Sequence, residues 1–157
     1  MKNKEFLQKF DIIRLFGLRG QSKQAPGTVE YVGKKRREPI SIQVMDYTKS
    51  SFTEKKLDDI SMNLPYVKDD SVTWININGV HDSELIRKVG KVFGVSSLVL
   101  EDIANTTQRP KMEEYPDYFF LVLKMAYEDK EKSRTHLEQV SLLVSKGLVI
   151  SFQEKEG

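Results

Sequence analysis

The last third of the chain carries the pattern that most restricts the fold. The segment YFFLVLKMAY (118–127) is apolar on both faces, which is typical of a central strand that is covered on two sides. The segment LEQVSLLVSKGLVISFQ (137–153) predicts two more strands joined at Ser145-Lys146-Gly147, because glycine tolerates the positive φ of a tight turn. Three such strands in succession require a sheet, and the other segments must pack around it.

Two segments closer to the N-terminus predict further strands of this sheet. TVEYVGKK (28–35) and ISIQVMDYT (40–48) are rich in β-branched and aromatic residues, so we expect them to form an antiparallel pair. The basic cluster Lys34–Arg37 lies at the turn between them. A solvent-exposed hairpin tip is the favoured interpretation of this cluster, and anion binding is the alternative.

The segment SFTEKKLDDI (51–60) predicts a short helix. Ser51 and Glu54 have the spacing of a capping box, in which each side chain bonds to the backbone N–H of the other residue. The buried side of this helix would consist of Phe52, Leu57 and Ile60.

A strand and two helices are predicted in the middle of the chain. SVTWININGV (71–80) alternates, so Ile75 and Ile77 point to one face and Trp74 to the other, where sheet packing is favoured over ligand stacking. Asp82 suits the N-cap of a helix that ends at Gly94. Ser96 suits the N-cap of the next helix, whose inward side chains would be Leu98, Val99 and Ile103.

This order of elements predicts an α/β (α+β) fold, a single soluble domain with a mixed β-sheet covered by helices. The length of 157 residues and the charged fraction of 31% agree with one globular domain. An amphipathic helix over about residues 4–17 and a linker would occupy residues 1–24, and the α/β domain residues 25–157. We expect the helix to pack on its own domain or on a neighbouring subunit, with membrane contact as the alternative.

Composition excludes several classes of function. The net charge of +2 gives no global signature of a nucleic-acid binder. The absence of Cys removes disulfides, thiolate metal sites and Cys nucleophiles. No apolar run approaches the ~18–20 residues that span a bilayer, and the N-terminus has no secretory signal.

The candidates for chemistry are few. The only histidines are His81 and His136, and no nucleotide-binding or hydrolase motif is present. A proton-transfer pair of His81 with Asp82 is disfavoured because Asp82 already has a role as a helix cap. Among the adjacent acidic pairs, Glu101-Asp102 lies on a predicted helix, where neighbouring side chains point ~100° apart. A solvated helix face is the favoured interpretation of this pair, and a hard cation such as Mg²⁺ is the alternative. The residues alone therefore indicate a non-enzymatic α/β domain.

Three motifs resemble the CorA family of magnesium transporters. TWININGVHD (73–82) is similar to its TWIN-type strand, LVLEDIANTTQRPKMEEYPDYFFLVLKM (98–125) to its LVLEDI…QRPK block, and EQVSLLVSKGLVISFQEKEG (138–157) to its EQVSLIL…VISFQE segment. With looser matches earlier, the resemblance extends over about residues 25–157 in the family's order.

The resemblance implies the N-terminal cytoplasmic domain of an inner-membrane transporter or channel for magnesium and cobalt. Such proteins are homopentamers with a stalk helix and two C-terminal transmembrane helices, which this chain lacks. We therefore expect a fragment whose membrane contact lies in a missing C-terminal region and which alone is monomeric or weakly associated. Neither nucleic acid nor an enzymatic activity is expected.

The resemblance also implies a regulatory ion site. Asp102 matches the acidic residue of the family's LVLEDI motif, and Glu101 is its neighbour. These carboxylates would bind Mg²⁺ between adjacent subunits and hold the closed state, with partner carboxylates from the adjacent stalk. Ser96-Ser97 stands where the family often has His-Pro, so a His ligand is not expected here. The alternatives are a zinc- or cobalt-handling member of the superfamily, or a freestanding module that binds anions or lipid through Lys34–Arg37.

Overall fold

The computed structural model describes residues 25–33, 39–60, 70–129 and 134–155. The predictions for the helix at 4–17 and for the cluster Lys34–Arg37 lie outside the described residues. Within them the chain forms strands β1 to β7 and helices α1 and α2. Their bounds are β1 Ser41–Tyr47, β2 Phe52–Leu57, β3 Val72–Asn78, α1 Ser83–Phe93, α2 Ser97–Ala104, β4 Lys111–Glu114, β5 Phe119–Asp129, β6 Arg134–Ser145 and β7 Leu148–Gln153.

The seven strands form one mixed sheet, which confirms the predicted α/β fold. Their order is β2-β1-β3-β7-β6-β5-β4. Only the β3–β7 pair among them is parallel, with Ile75 opposite Ile150, and the other neighbours are antiparallel. The predicted turn between β6 and β7 is present, and Gly147 has φ 71°. The centre of the sheet is β7 and not segment 118–127, because β5 has only the short strand β4 beyond it.

Two predictions in the first half of the chain are wrong. The segment 51–60 contains β2 instead of a helix, because pairing of Phe52–Leu57 with β1 along its whole length outweighs the local capping pattern. Thr48 and Ser51 close this hairpin through a backbone hydrogen bond of 2.9 Å and a contact of their hydroxyl groups at 2.8 Å. Residues 28–33 are not a strand beside β1, and their one bridge joins Val32 to Asn105 in parallel.

One face of the sheet and the two helices enclose the core. Ile75 and Ile77 on β3 are fully buried, as their alternation predicts, and Phe120 on β5 is buried on the same side. Ile86 and Val89 of α1 pack into the same cluster. The opposite face carries partly exposed apolar side chains, among them Trp74, Phe119 and Leu123.

The helix ends follow the sequence signals. Asp82 Oδ1 accepts hydrogen bonds from the N–H groups of Glu84 and Leu85 at 2.9 and 3.1 Å, so its role as a cap of α1 is confirmed. Gly94 ends α1 in the left-handed conformation with φ 66°. The two helices pack closely at Gly90, where an added Cβ would collide with Leu100.

Candidate metal centre

Helix α2 carries both predicted site residues. Ser96 caps its first turn by accepting a hydrogen bond from the N–H of Val99 at 3.4 Å. Val99 and Ile103 are buried, as predicted, which turns the 101–102 side of the helix toward partial exposure. Leu98 was expected to point inward, but it is 55% exposed, because it precedes the buried stripe of the helix by one position.

Glu101 holds an N-terminal loop and does not extend freely into solvent. Its Oε2 atom accepts a hydrogen bond of 2.6 Å from the backbone N–H of Gly27. Gly27 has φ 83°, and a Cβ at this position would lie 2.8 Å from the hydroxyl of Ser97. The loop is secured a second time by Val32, whose N–H donates to the carbonyl of Ala104 at 2.9 Å. Glu101 is therefore already engaged by the chain's own backbone.

Asp102 is the centre of a separate polar cluster. Its Oδ1 atom accepts a hydrogen bond from the Gln108 amide at 2.5 Å, and its Oδ2 atom lies 2.6 Å from the Lys111 ammonium. Lys111 also contacts Oε1 of Glu113 at 2.7 Å. One cation on β4 is thus held between a carboxylate from α2 and a carboxylate from its own strand.

Aromatic side chains close one side of this cluster. The Tyr115 hydroxyl donates to Oε2 of Glu113 at 2.9 Å. Tyr115 stacks on Tyr118 with ring centroids 4.8 Å apart. The Lys111 ammonium lies 5.5 Å from the centroid of Phe120, within the range of a cation–π contact. These contacts fix the orientation of the Glu113 carboxylate.

The pKa values within the cluster shift in different directions. Burial raises the pKa of the Asp102 carboxyl, and the Lys111 ammonium offsets this only in part. The hydrogen bond from Lys111 lowers the pKa of Glu113. Burial disfavours the ammonium of Lys111, but the hydrogen bonds to Asp102 and Glu113 outweigh burial and raise its pKa. Lys111 therefore stays charged at neutral pH.

A buried amide supports α2 from below. Gln139 on β6 is 3% exposed, and its Nε2 atom donates to the carbonyls of Asp102 and Asn105, both at 3.1 Å. Its Oε1 atom accepts from the Lys124 ammonium at 3.1 Å, and Lys124 also donates to the carbonyl of Thr106 at 3.0 Å. The position of Asp102 is therefore set by the sheet as well as by the helix.

The donor set suits a hard cation but supplies only part of a coordination shell. Asp102 and Glu113 present carboxylate oxygens that already bind one ammonium, and such oxygens are the ligands that Mg²⁺ prefers. In the described ranges no three His, Cys, Asp or Glu side chains converge as metal ligands. An ion at Asp102 would therefore need waters or ligands from a second chain.

Glu101 and Asp102 are neighbours in the sequence, but in the structure they have different partners: Glu101 binds the backbone of Gly27, and Asp102 binds Gln108 and Lys111. Sequence reasoning missed Gln108, Lys111 and Glu113, which contact or adjoin Asp102. The QRPKMEEY segment contained all three, and their signal was the alternation of Lys111 and Glu113 on one face of a short strand.

The other candidate residues, His81, Trp74 and His136, make packing or hydrogen-bond contacts within the domain. His81 lies beside Tyr31, with ring centroids 6.2 Å apart, and adjoins the cap Asp82. Trp74 donates from Nε1 to the Ser151 hydroxyl at 2.8 Å on the outer face of the sheet, as the packing interpretation predicts. His136 stacks on Tyr127 at 5.3 Å.

A model of the family described as "CorA-like Mg2+ transporter protein" matches residues 69–156, which is more than half of the chain. The chain belongs to the CorA family. The cobalt/magnesium transport protein CorA of Thermotoga maritima is 46% identical to it over 132 residues. That match covers 84% of this chain, and the chain spans only 37% of the relative's length.

Solved structures share the fold. The full-length CmaX protein aligns with a TM-score of 0.61 and 10% identity, over 78% of this chain and 37% of CmaX. The soluble domain of CorA from Methanocaldococcus jannaschii aligns with a TM-score of 0.51 and 20% identity, over 72% of this chain and 41% of that domain's chain. Among the helices that the structure describes here, none has the length and apolar character needed to cross a bilayer.

Proposed function

We propose that this chain is the cytoplasmic ion-sensing domain of a CorA-type transporter or channel for magnesium and cobalt in the cell (inner) membrane. The observation that carries the proposal is the Asp102 cluster, in which the carboxylates of Asp102 and Glu113 hold the Lys111 ammonium between α2 and β4. Membership of the CorA family supports it, as does the similarity to a protein named for cobalt and magnesium transport.

The regulatory ion is magnesium under this proposal, and its site lies between subunits. Asp102 provides one ligand, and an adjacent subunit of a homopentamer completes the shell. Glu101, whose Oε2 atom accepts from the Gly27 N–H and points elsewhere, would serve a neighbouring ion. Mg²⁺ usually takes one or two carboxylates and keeps several waters, so a half-site suffices on each chain. The oxygen donors and the absence of Cys favour Mg²⁺ over zinc, which prefers nitrogen and sulfur ligands.

Sensing follows from differential binding to two arrangements of the subunits. When Mg²⁺ is bound, carboxylates of neighbouring chains share one cation and the closed arrangement is stabilised. Without Mg²⁺, the opposed carboxylates repel each other, and the subunits separate. Under this proposal the domain by itself is monomeric or weakly associated, because half of each ion site comes from a second subunit.

The test replaces the Asp102 carboxylate in the whole transporter. Asp102→Asn keeps the shape of the side chain and removes its charge, so Mg²⁺ should no longer protect the assembled protein from a protease. Glu114→Gln is the matched control, because Glu114 lies on β4 but is exposed. Protection of Asp102→Asn at the same Mg²⁺ concentration as the wild type would contradict the proposal.

A further inference from the structure

The Lys111 ammonium occupies the position of a bound cation. It lies 2.6 Å from Oδ2 of Asp102 and 2.7 Å from Oε1 of Glu113, and its side chain is 28% exposed. The two carboxylates belong to different elements, α2 and β4, so the ammonium also joins the helix to the edge of the sheet. This is more than a surface ion pair, because one cation contacts two partly buried anions.

Every oxygen of the two carboxylates already has a donor. Oδ1 of Asp102 accepts from Gln108 and Oδ2 from Lys111. Oε1 of Glu113 accepts from Lys111 and Oε2 from Tyr115. A ligand of Asp102 must therefore either replace one of these donors or bind beside it at the second lone pair of the same oxygen.

A magnesium ion and the ammonium cannot share Oδ2 without cost. Mg²⁺ binds oxygen at about 2.0–2.1 Å and demands near-octahedral geometry. The ammonium, at 2.6 Å from the same oxygen, would lie within about 4.7 Å of the ion and would crowd its water shell. Two cations at such a separation repel strongly at a partly buried site.

We infer that Lys111 competes with the divalent cation for Asp102 and thereby sets the ion concentration at which the domain responds. The inference rests on the proposed function and adds its regulation. Binding of the ion displaces the ammonium from Asp102, while Glu113 keeps it nearby and neutralised. The competition weakens the site, so the sensor does not saturate at low concentrations of Mg²⁺.

The first test measures the Mg²⁺ concentration that gives half-maximal protection of the whole transporter from a protease. Lys111→Met retains the length of the side chain and removes the charge, so this midpoint should fall by about tenfold, as expected when one like charge leaves the vicinity of an ionic site. Lys111→Arg keeps a cation and should stay close to the wild type. Lys88→Met is the matched control, because Lys88 is a partly exposed lysine on α1, away from the Asp102 cluster. Its ammonium pairs with the carboxylate of Asp59 at 3.7 Å.

The second test follows the displaced side chain directly. An amine-reactive reagent should label Lys111 faster as Mg²⁺ is added to the wild-type transporter, and mass spectrometry of the peptide that contains it measures the rate. In Asp102→Asn this dependence on Mg²⁺ should vanish. A Lys111 whose role is only structural would show no such dependence, so this readout separates competition from stabilisation.

The outcomes distinguish the two proposals. If Asp102→Asn abolishes the Mg²⁺ response but Lys111→Met leaves the midpoint unchanged or raises it, the competition is refuted and the proposed function stands. If Asp102→Asn responds like the wild type, both are refuted. Should Lys111→Met not fold, Lys111→Gln supplies the same loss of charge with a hydrogen-bond donor retained, and the labelling test does not need the variant.

Discussion

Replacing Gln139 by leucine should destabilise the chain strongly although the two side chains have similar volumes. The Gln139 amide donates a hydrogen bond to the carbonyl of Asp102 and another to the carbonyl of Asn105. The Asn105 carbonyl also accepts from the backbone N–H of Gln108 at 3.4 Å. Leucine fills the space but donates nothing. The Asp102 carbonyl at the C-terminal end of α2 would then lose its partner from β6.

The magnitude follows from the number of groups left without a partner. A buried polar group that loses its hydrogen bond costs about 1–3 kcal/mol. The Asp102 carbonyl loses its donor from Gln139, while Asn105 and Lys124 each lose one contact and keep another. We therefore expect the free energy of unfolding to fall by about 1–3 kcal/mol, a substantial part of the 5–15 kcal/mol of a typical domain.

Urea unfolding of the 157-residue chain, followed by circular dichroism and by the fluorescence of its single tryptophan Trp74, measures the loss. Gln43→Leu is the matched control, because Gln43 is partly exposed on β1 and has one weak contact of 3.4 Å to Asn76. This control should lose less than about 1 kcal/mol. A similar small loss in Gln139→Leu would refute the assignment of Gln139 as the support of α2.

Two further outcomes test the packing and the ion pairs. Gly90→Ala should lower the free energy of unfolding by about 1–2 kcal/mol, because the collision with Leu100 outweighs the gain in helix propensity. Lys88→Ala on the same helix is the control and should be nearly neutral. A Gly90→Ala variant more stable than the wild type would contradict the close contact. The raised pKa of Lys111 means that its stabilisation is complete below the ordinary lysine pKa of about 10.4 and is lost as the pH rises through the folded value. In urea titrations, the difference in unfolding free energy between the wild type and Lys111→Met should stay constant from about pH 7 to about pH 10 and shrink at higher pH. A difference that has vanished by about pH 9 would disprove the stabilising role of the Lys111 ammonium.

Helix ends and turns that depend on one local residue type were predictable from the sequence. Asp82 and Gly94 end α1 as their types require, and Gly147 forms the β6–β7 turn. Residues 52–57 were not predictable as a strand, because their capping pattern is local and their pairing with β1 is not. Tertiary pairing decided between two structures that the local sequence allows.

The placement of Glu101 and Asp102 on a helix was predictable, and their contacts were not. The motif resemblance selected Glu101 and Asp102, and the helix geometry already indicated that they point to different places. The bond from Gly27 to Glu101 joins positions 74 residues apart, so no local pattern signals it. Lys111 lies nine residues from Asp102, but only the return of the chain from α2 into β4 brings its ammonium to that carboxylate.

The position of β7 has a consequence for how the chain is made. About 70 residues separate the end of β3 at Asn78 from the start of its parallel partner at Leu148. At about 5–20 residues per second, a ribosome needs several seconds to synthesise this stretch. During that interval the edge of β3 has no neighbour on one side, and its Ile75 and Ile77 lack their lateral neighbours Ile150 and Phe152 on β7. The nascent chain therefore passes through a stage at which chaperone binding or misassembly competes with completion of the sheet.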